Sequence, residues 1–140
     1  MREILFRGKY SKKSPDWIEG SFHRDEDTNI CEIAYRYYKK ENETKAGIWV
    51  YGVVDPETVG QYTGLKDKNG KKIFEGDIVK IPLYEGCQEK AIAVVAWDIR
   101  KAVFYLHGKR VKTDFYHYFG DDCEIIGNIH DNKLEDFENG

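Results

Sequence analysis

The segment Thr63–Val79, TGLKDKNGKKIFEGDIV, constrains the fold more than any other part of the sequence. Its Asn69-Gly70 pair predicts a tight β-hairpin, because both residues tolerate the positive φ of a type I′ turn. Glu75–Asp77 then predicts a second turn, which leads into a strand over Ile78–Leu83. We therefore interpret the segment as a structural turn motif, formed by Asp67, Asn69, Gly70, Gly76 and Asp77.

Strand-like segments recur along the rest of the chain. Runs rich in β-branched and aromatic residues alternate with turn signals at spacings of about 8–12 residues, which gives about nine strands. This pattern is typical of a sandwich or barrel. We predict an all-β, mostly antiparallel fold, a small sandwich or barrel-like structure with at most one or two short helices.

Two segments rich in apolar and aromatic residues are predicted to be strands. Residues 30–38, ICEIAYRYY, alternate at the period of a strand and are rich in β-branched and aromatic residues. Four of them also make a helical stripe, but a strong helix-start signal is missing, so we predict a strand. Residues 48–54, IWVYGVV, are nearly all apolar or aromatic, which predicts a strand buried on both faces.

The length of the chain, 140 residues, fits one domain over residues 1–140. A weak candidate boundary near Val54–Gln61 also allows a division of the chain into two parts. In that division, an N-terminal β-meander (1–58) packs on a C-terminal small β-barrel (59–140).

The net charge of −3 is concentrated at the end of the sequence. Residues 131–140 contain four acidic side chains and Lys133, so the rest of the chain is neutral. A neutral body lacks the clustered Lys and Arg that nonspecific nucleic-acid binding requires. An odd number of cysteines without a CxxC pair, and an N-terminus without an apolar h-region, predict a reducing, cytoplasmic location. No apolar run approaches the length of a membrane span, so no membrane association is expected.

Carboxylates in the turn motif suggest two kinds of site. The run from Asp67 to Gly70 is similar to the start of a calcium loop, but neither register places both the required glycine and the bidentate Glu. Glu75 and Asp77 would share a face on one strand and would suit acid–base chemistry. Gly76 between them implies a turn instead, in which Asp77 binds backbone N–H groups. We favour the structural interpretation of both.

Histidines and cysteines offer no stronger candidate. His107, His117, Cys123 and His130 do not have the spacing of a helical pair or a zinc knuckle. Cys87 or Cys123 with a histidine would be a conceivable nucleophile, but nothing in the sequence favours it. No Walker A loop, GxSxG, HExxH or dinucleotide-binding motif occurs. We therefore expect no catalytic residue, no cofactor and no metal site, so the protein is predicted not to be an enzyme.

Aromatic and basic residues of the C-terminal half form the candidate interaction surface. Aromatic rings on a small barrel can stack on bases, but they more often build a core or an oligomer interface. The short basic cluster does not make its surroundings basic, so we favour the core or the interface. The surface comprises Trp97, Tyr105, Lys109, Arg110, Lys112, Tyr116 and Tyr118.

Three stretches of the sequence resemble the YopX family of phage and prophage proteins. Arg2–Lys9, followed by Trp17 and Gly20, is similar to the family's N-terminal hairpin. Val54–Ile81 resembles the family signature, and Cys123–Asn132 resembles its closing strand. The chain departs from the family at Lys133, where a proline is common, and in an apparent insertion over residues 39–47.

The resemblance implies a largely β fold and a phage-derived origin, with a bacterial host cell as the location. It implies no activity. Together with the residues, it predicts a phage or prophage accessory protein that is non-enzymatic, self-associates as a homo-oligomer and binds a protein partner. The alternative is a small β-barrel that binds nucleic acid in phage replication or regulation.

Overall fold

The structure, a computed structural model, describes residues 1–37, 47–115 and 121–138. These residues contain eleven β-strands, a 3-10 turn at Pro56–Thr58 and a short helix, α1, at Glu135–Glu138. Every strand pair is antiparallel, so the predicted all-β, mostly antiparallel fold class is confirmed. The strands are β1 (Phe6–Lys9), β2 (Trp17–Arg24), β3 (Cys31–Tyr37), β4 (Ile48–Val54), β5 (Gly60–Lys66), β6 (Lys72–Phe74), β7 (Asp77–Pro82), β8 (Lys90–Asp98), β9 (Val103–His107), β10 (Lys112–Asp114) and β11 (Glu124–Asn128).

The chain forms two compact units, and it passes from the first to the second within β5. Unit 1 comprises Met1 and residues 3–61, and unit 2 comprises Arg2 and residues from 62 onward. The predicted arrangement of a meander packed on a barrel stays a prediction.

Unit 1 is built on the strand order β4-β3-β2-β1, with the start of β5 beside β1. Its core contains Ile18, Cys31, Ile33 and Val54. The strand predicted over residues 30–38 is confirmed over Cys31–Tyr37, where β3 pairs with β4 at seven consecutive positions; residue 38 lies outside the described residues. Close backbone approach shapes the sheet at Gly20, where a Cβ would lie 2.0 Å from the carbonyl oxygen of Ala34.

The prediction that residues 48–54 are buried on both faces is wrong. Among the strands that the structure describes, β4 is the terminal one of its sheet, and within β4 only Gly52 and Val54 are buried. Trp49, Tyr51 and Val53 point to the opposite face and are more than half exposed. A continuous apolar run is compatible with a fully buried strand, but it does not reveal whether anything covers the second face.

Unit 2 contains a five-stranded sheet of order β10-β9-β8-β7-β11 and the pairing of β5 with β6. One face of the sheet carries the core, in which side chains from β7, β8 and β9 pack together with Ile73, Phe115 and Cys123. Lys80 and Ile92 face each other on the opposite side, since side chains alternate along each strand. The core residues of the three strands are Val79, Ile81, Ala93, Val95 and Leu106.

The hairpin predicted at Asn69-Gly70 is present, but its predicted type I′ geometry is wrong. Gly70 has a φ of +79°, whereas Asn69 does not have a positive φ. The loop is longer than two residues, because Asp67 N–H donates to the carbonyl oxygen of Lys71 at 2.8 Å. Gly70 N–H donates in turn to the carbonyl oxygen of Asp67 at 2.9 Å. The second predicted turn is found at Gly76, whose φ of +87° suits glycine.

Candidate functional site

Asp67 is the centre of the turn motif, and among the described residues its carboxylate accepts hydrogen bonds from backbone N–H groups. One oxygen, Oδ1, accepts the N–H groups of Asn69 and Lys71, each at 2.9 Å. The other, Oδ2, accepts the N–H of Ile125 in β11 at 3.1 Å. Burial raises the pKa of Asp67, but these three hydrogen bonds outweigh that effect and hold the pKa below its ordinary value of 3.8. This geometry is that of a structural carboxylate, which favours the interpretation of Asp67 as part of the turn motif.

Asp77 also has a structural role. The residue is 1% exposed, and its Oδ2 accepts the N–H of Phe74 at 2.8 Å across the turn at Gly76. Gly76 N–H donates to the carbonyl oxygen of Val95, which ties the turn to β8. Asp77 is therefore inaccessible to a substrate in solution, whereas Glu75 is only partly buried. This arrangement favours the structural interpretation of the pair.

Cys123 has the environment of an inert thiol. Burial, together with the nearby Asp67, Asp77 and Glu124 carboxylates, raises its pKa to about 12. A thiolate is the reactive form of cysteine, so this residue is unsuited to nucleophilic chemistry near neutral pH. Cys31 is buried as well, whereas Cys87 is half-exposed in the loop between β7 and β8.

We expect one of the three cysteines to react quickly with an aromatic disulfide reagent in the folded protein. Cys87 is the accessible thiol, and burial protects the other two. Absorbance of the released thiolate measures the number of reactive groups, and all three should react after unfolding in denaturant. In Cys87→Ser the fast phase should disappear; a fast phase that persists there would contradict the environment assigned to Cys123.

Within residues 1–37, 47–115 and 121–138, no three His, Cys, Asp or Glu side chains are close enough together to hold a metal ion. Of the helices in this part of the chain, none combines the length and apolar character of a transmembrane span. His117 lies outside the described residues.

The predicted aromatic and basic surface is divided by the sheet of unit 2. Trp97 lies opposite Phe104, and their rings meet edge-on with centroids 4.8 Å apart. Tyr105 is on the other face, where its ring stacks on His107 at 5.4 Å. Lys112 pairs with His107 across the β9–β10 hairpin. Tyr116 and Tyr118 lie outside the described residues.

Lys109 and Arg110 form part of a larger positively charged feature, which we call the basic cleft. It has a volume of about 510 Å³ and contains four cationic side chains, from β7, β8 and the β9–β10 turn. Its apolar lining includes Ile92, Ile126 and Phe137, and Glu138 reaches into it from α1. The four cations are Lys80, Lys90, Lys109 and Arg110.

Sequence reasoning missed Lys80 and Lys90. Lys80 is the one charged side chain within the apolar run Ile78–Leu83, which is a signal that this position faces away from the core. Lys90 appears in the sequence only as the end of a polar loop. Their association with Lys109 depends on strand pairing, which the local pattern does not reveal.

A second surface lies in unit 1 along β4, and we call it the β4 surface. It consists of Trp49, Tyr51 and Val53, whose exposed fractions are 54%, 67% and 56%; Ile48, at the start of the strand, is 63% exposed on the other face. A shallow groove of about 290 Å³ adjoins Trp49 and Tyr51. The Arg36 guanidinium lies 5.3 Å from the centre of the Trp49 ring, which is within cation–π range.

Similarity to known proteins extends over nearly the whole chain. The family model described as YopX protein matches residues 5–135. The chain belongs to the YopX family. This confirms the resemblance seen in the three sequence stretches. No curated protein sequence matches this YopX protein.

This YopX protein is also similar to a solved structure, the crystal structure of protein EF1440 from Enterococcus faecalis. The two chains are 22% identical over 94% of this chain and 96% of that chain, with a TM-score of 0.49.

Two of the three stretches that resemble YopX proteins meet within unit 2. Lys68 N–H in the turn motif donates to the carbonyl oxygen of Cys123 at 2.8 Å. Ile129 N–H donates to the carbonyl oxygen of Gly76 at 2.9 Å. Together with the hydrogen bond from Ile125 N–H to Asp67, these hydrogen bonds connect both turns of the motif to the closing strand and to the turn that follows it.

Proposed function

We propose that this YopX protein is a non-enzymatic module that self-associates by pairing β4 with β4 of a second copy. The observation that carries the proposal is an exposed apolar strand at the end of a sheet. Edge strands usually carry Lys, Pro or a bulge that discourages further pairing. β4, IWVYGVV, has no charged residue and no proline, and its register with β3 has no shift.

An antiparallel pairing about a two-fold axis suits this strand. With the axis at Tyr51, that residue faces its own copy, and Trp49 of each copy faces Val53 of the other. Apolar side chains then meet along the whole strand, and no like charges are opposed. On β3, Arg36 lies opposite Trp49, and Glu32 lies opposite Val53. In the paired sheet, Arg36 of one copy is therefore in the same row as Glu32 of the other copy, so the charges in that row are opposite.

We expect the wild-type protein to be dimeric and Tyr51→Lys to weaken dimerisation at least about tenfold. The substitution places two lysines directly opposite each other across the two-fold axis, where like charges repel. Sedimentation equilibrium over a range of protein concentrations measures the dissociation constant.

Tyr84→Lys is the matched control for this experiment. Tyr84 is 67% exposed, as Tyr51 is, but it lies in a loop of unit 2. The control should associate as the wild type does. A wild-type protein that stays monomeric up to about 100 μM would overturn the proposal. Unchanged association of Tyr51→Lys would overturn it as well.

The wider role that we propose is that of a phage or prophage accessory protein that binds a protein partner in the cytoplasm of a bacterial host. Membership of the YopX family supports this role. The structural use of the Asp67 and Asp77 carboxylates and the inert environment of Cys123 support a non-enzymatic function. Purification of the protein from phage-infected cells, with Tyr51→Lys and Tyr84→Lys in parallel, tests whether the partner depends on β4.

A further inference from the structure

We propose that the basic cleft of unit 2 binds the phosphate group of a nucleotide, with the apolar lining against the nucleoside. The inference is independent of self-association, because the cleft and the β4 surface belong to different units. It rests on the placement of four cations around one concavity, on the carboxylate that already occupies part of it, and on the size of the space.

Strand register brings two lysines to the same side of the sheet. Lys80 lies opposite Ile92, and Lys90 lies opposite Pro82, so the lysines are diagonal neighbours on adjacent strands. Diagonal neighbours are about 7–8 Å apart, within reach of long side chains. Two ammonium groups at this spacing can converge on the oxygens of a single phosphate.

The other two cations come from the β9–β10 turn. Gly108 begins this turn, and a Cβ there would lie 2.1 Å from the carbonyl oxygen of Ile92. The absence of a side chain therefore allows the turn to rest directly on β8. Lys109 and Arg110 follow at once in the chain, and this contact holds them at the rim of the cleft.

The charges of the cleft are only partly neutralised. Lys109 pairs with Glu138 at 3.1 Å, and Arg110 pairs with Glu89 at 2.7 Å. Among the residues that the structure describes, Lys80 and Lys90 form no ion pair. Glu124, which is opposite Lys80 in the register, pairs with Lys68 at 3.1 Å instead. Two cations thus remain available to an anionic ligand.

Glu138 indicates what kind of group the cleft accepts. Its side chain is only 9% exposed and sits beside Lys109, so the cleft already holds one anionic group of the chain itself. A phosphate bound here would compete with this carboxylate for Lys109. The acidic end of α1 is therefore expected to weaken binding, as an internal competitor.

Size and lining favour a nucleotide over an inorganic anion alone. A volume of about 510 Å³ lies within the range of small-molecule sites, and such sites combine apolar walls with a few polar groups. Ile92, Ile126 and Phe137 offer apolar contacts for a base or sugar, and lysine is a common ligand of phosphate. The nucleotide is either free or the end of a single strand.

Isothermal titration at low salt tests the inference, with inorganic phosphate, nucleoside 5′-monophosphates and a short 5′-phosphorylated single-stranded oligonucleotide as probes. We expect nucleotide binding that weakens about tenfold in Lys80→Ala and in Lys90→Ala, since each loses a charge-assisted contact. Glu138→Gln should tighten binding several-fold, because it removes the internal competitor. A free nucleotide that binds more tightly than the oligonucleotide identifies the smaller ligand, and the reverse identifies a strand end.

Lys101→Ala is the matched control, because Lys101 is an exposed lysine at the opposite end of β9 and pairs with Asp114. It should leave affinity unchanged within about twofold, and circular dichroism checks that all variants fold. Absence of binding below about 1 mM for every phosphate probe would overturn the inference. Equal affinity in wild type, Lys80→Ala and Lys90→Ala would do the same. So would tighter binding of an acidic peptide without phosphate.

Discussion

Gly108→Ala is expected to lower the free energy of unfolding by about 3 kcal/mol, more than most single substitutions do. A Cβ at this position would lie 2.1 Å from the Ile92 carbonyl oxygen and 3.2 Å from its carbon. Both atoms belong to the backbone of β8, so the clash is relieved only if the β9–β10 turn moves away from the sheet. Thermal unfolding followed by circular dichroism should show a midpoint lower by roughly 10 °C.

Lys109→Ala is the control for this substitution. Its side chain is 68% exposed, so its removal should change stability by less than about 0.5 kcal/mol. The two variants also separate folding from binding. Gly108→Ala should weaken nucleotide binding by moving the turn, and Lys109→Ala should weaken it in a protein of normal stability. Unchanged stability of Gly108→Ala would show that the turn does not need its close contact with β8.

Asp67→Ala is expected to destabilise the protein by about 3 kcal/mol. The substitution removes the acceptor of three backbone N–H groups and leaves them without a partner, at a cost of about 1–3 kcal/mol for each one that stays buried. It also releases the turn from β11. Asp67→Asn should cost less, because the amide keeps one oxygen that can accept either the two turn N–H groups or the Ile125 N–H. Urea denaturation measures both.

Asp98→Ala is the matched control within the same unit. The Asp98 carboxylate accepts the N–H groups of Arg100 and Lys101 in an exposed turn, and it makes no hydrogen bond to a distant strand within the part of the chain that the structure describes. Its loss should cost about 1 kcal/mol or less. An equal cost for Asp67→Ala and Asp98→Ala would contradict the role of Asp67 as a link between the turn motif and β11.

The pH dependence of stability should also identify Asp67. Its folded pKa is below the ordinary value of 3.8, so its contribution is complete above about pH 4. The contribution is lost as pH falls through the folded pKa, because protonation abolishes the charge that binds the N–H groups. The stability difference between wild type and Asp67→Ala should therefore shrink below about pH 4. A difference that stays constant there would show that Asp67 does not titrate with folding.

Much of the fold could be predicted because its signals are local. Asn69-Gly70 and Gly76 mark turns through their own conformational preferences, and alternating side chains mark the strands. The type of the first turn could not be predicted in the same way. The Asp67 carboxylate binds the N–H groups of Asn69 and Lys71, and this bonding accompanies a longer loop than the two-residue pattern suggests.

The candidate surfaces were less predictable, since each depends on what lies beyond the local sequence. The apolar run of β4 matches a central strand as well as an edge strand, and strand order alone distinguishes them. From the sequence, Trp97 and Tyr105 are predicted to share one candidate surface, yet the β8–β9 register puts them on opposite faces.

The sequence by itself determined that this chain is an antiparallel β protein of the YopX family, with two turns in the segment Thr63–Val79. Those properties follow from backbone preferences and side-chain periodicity over a few residues. Tertiary structure alone decided which strand lies at an edge, which face is covered and which lysines meet. The basic cleft joins Lys80, Lys90 and Lys109 through the pairing of β7, β8 and β9. Which lysines lie together is determined by the pairing register of strands that are distant in sequence, and a local sequence pattern does not contain that information.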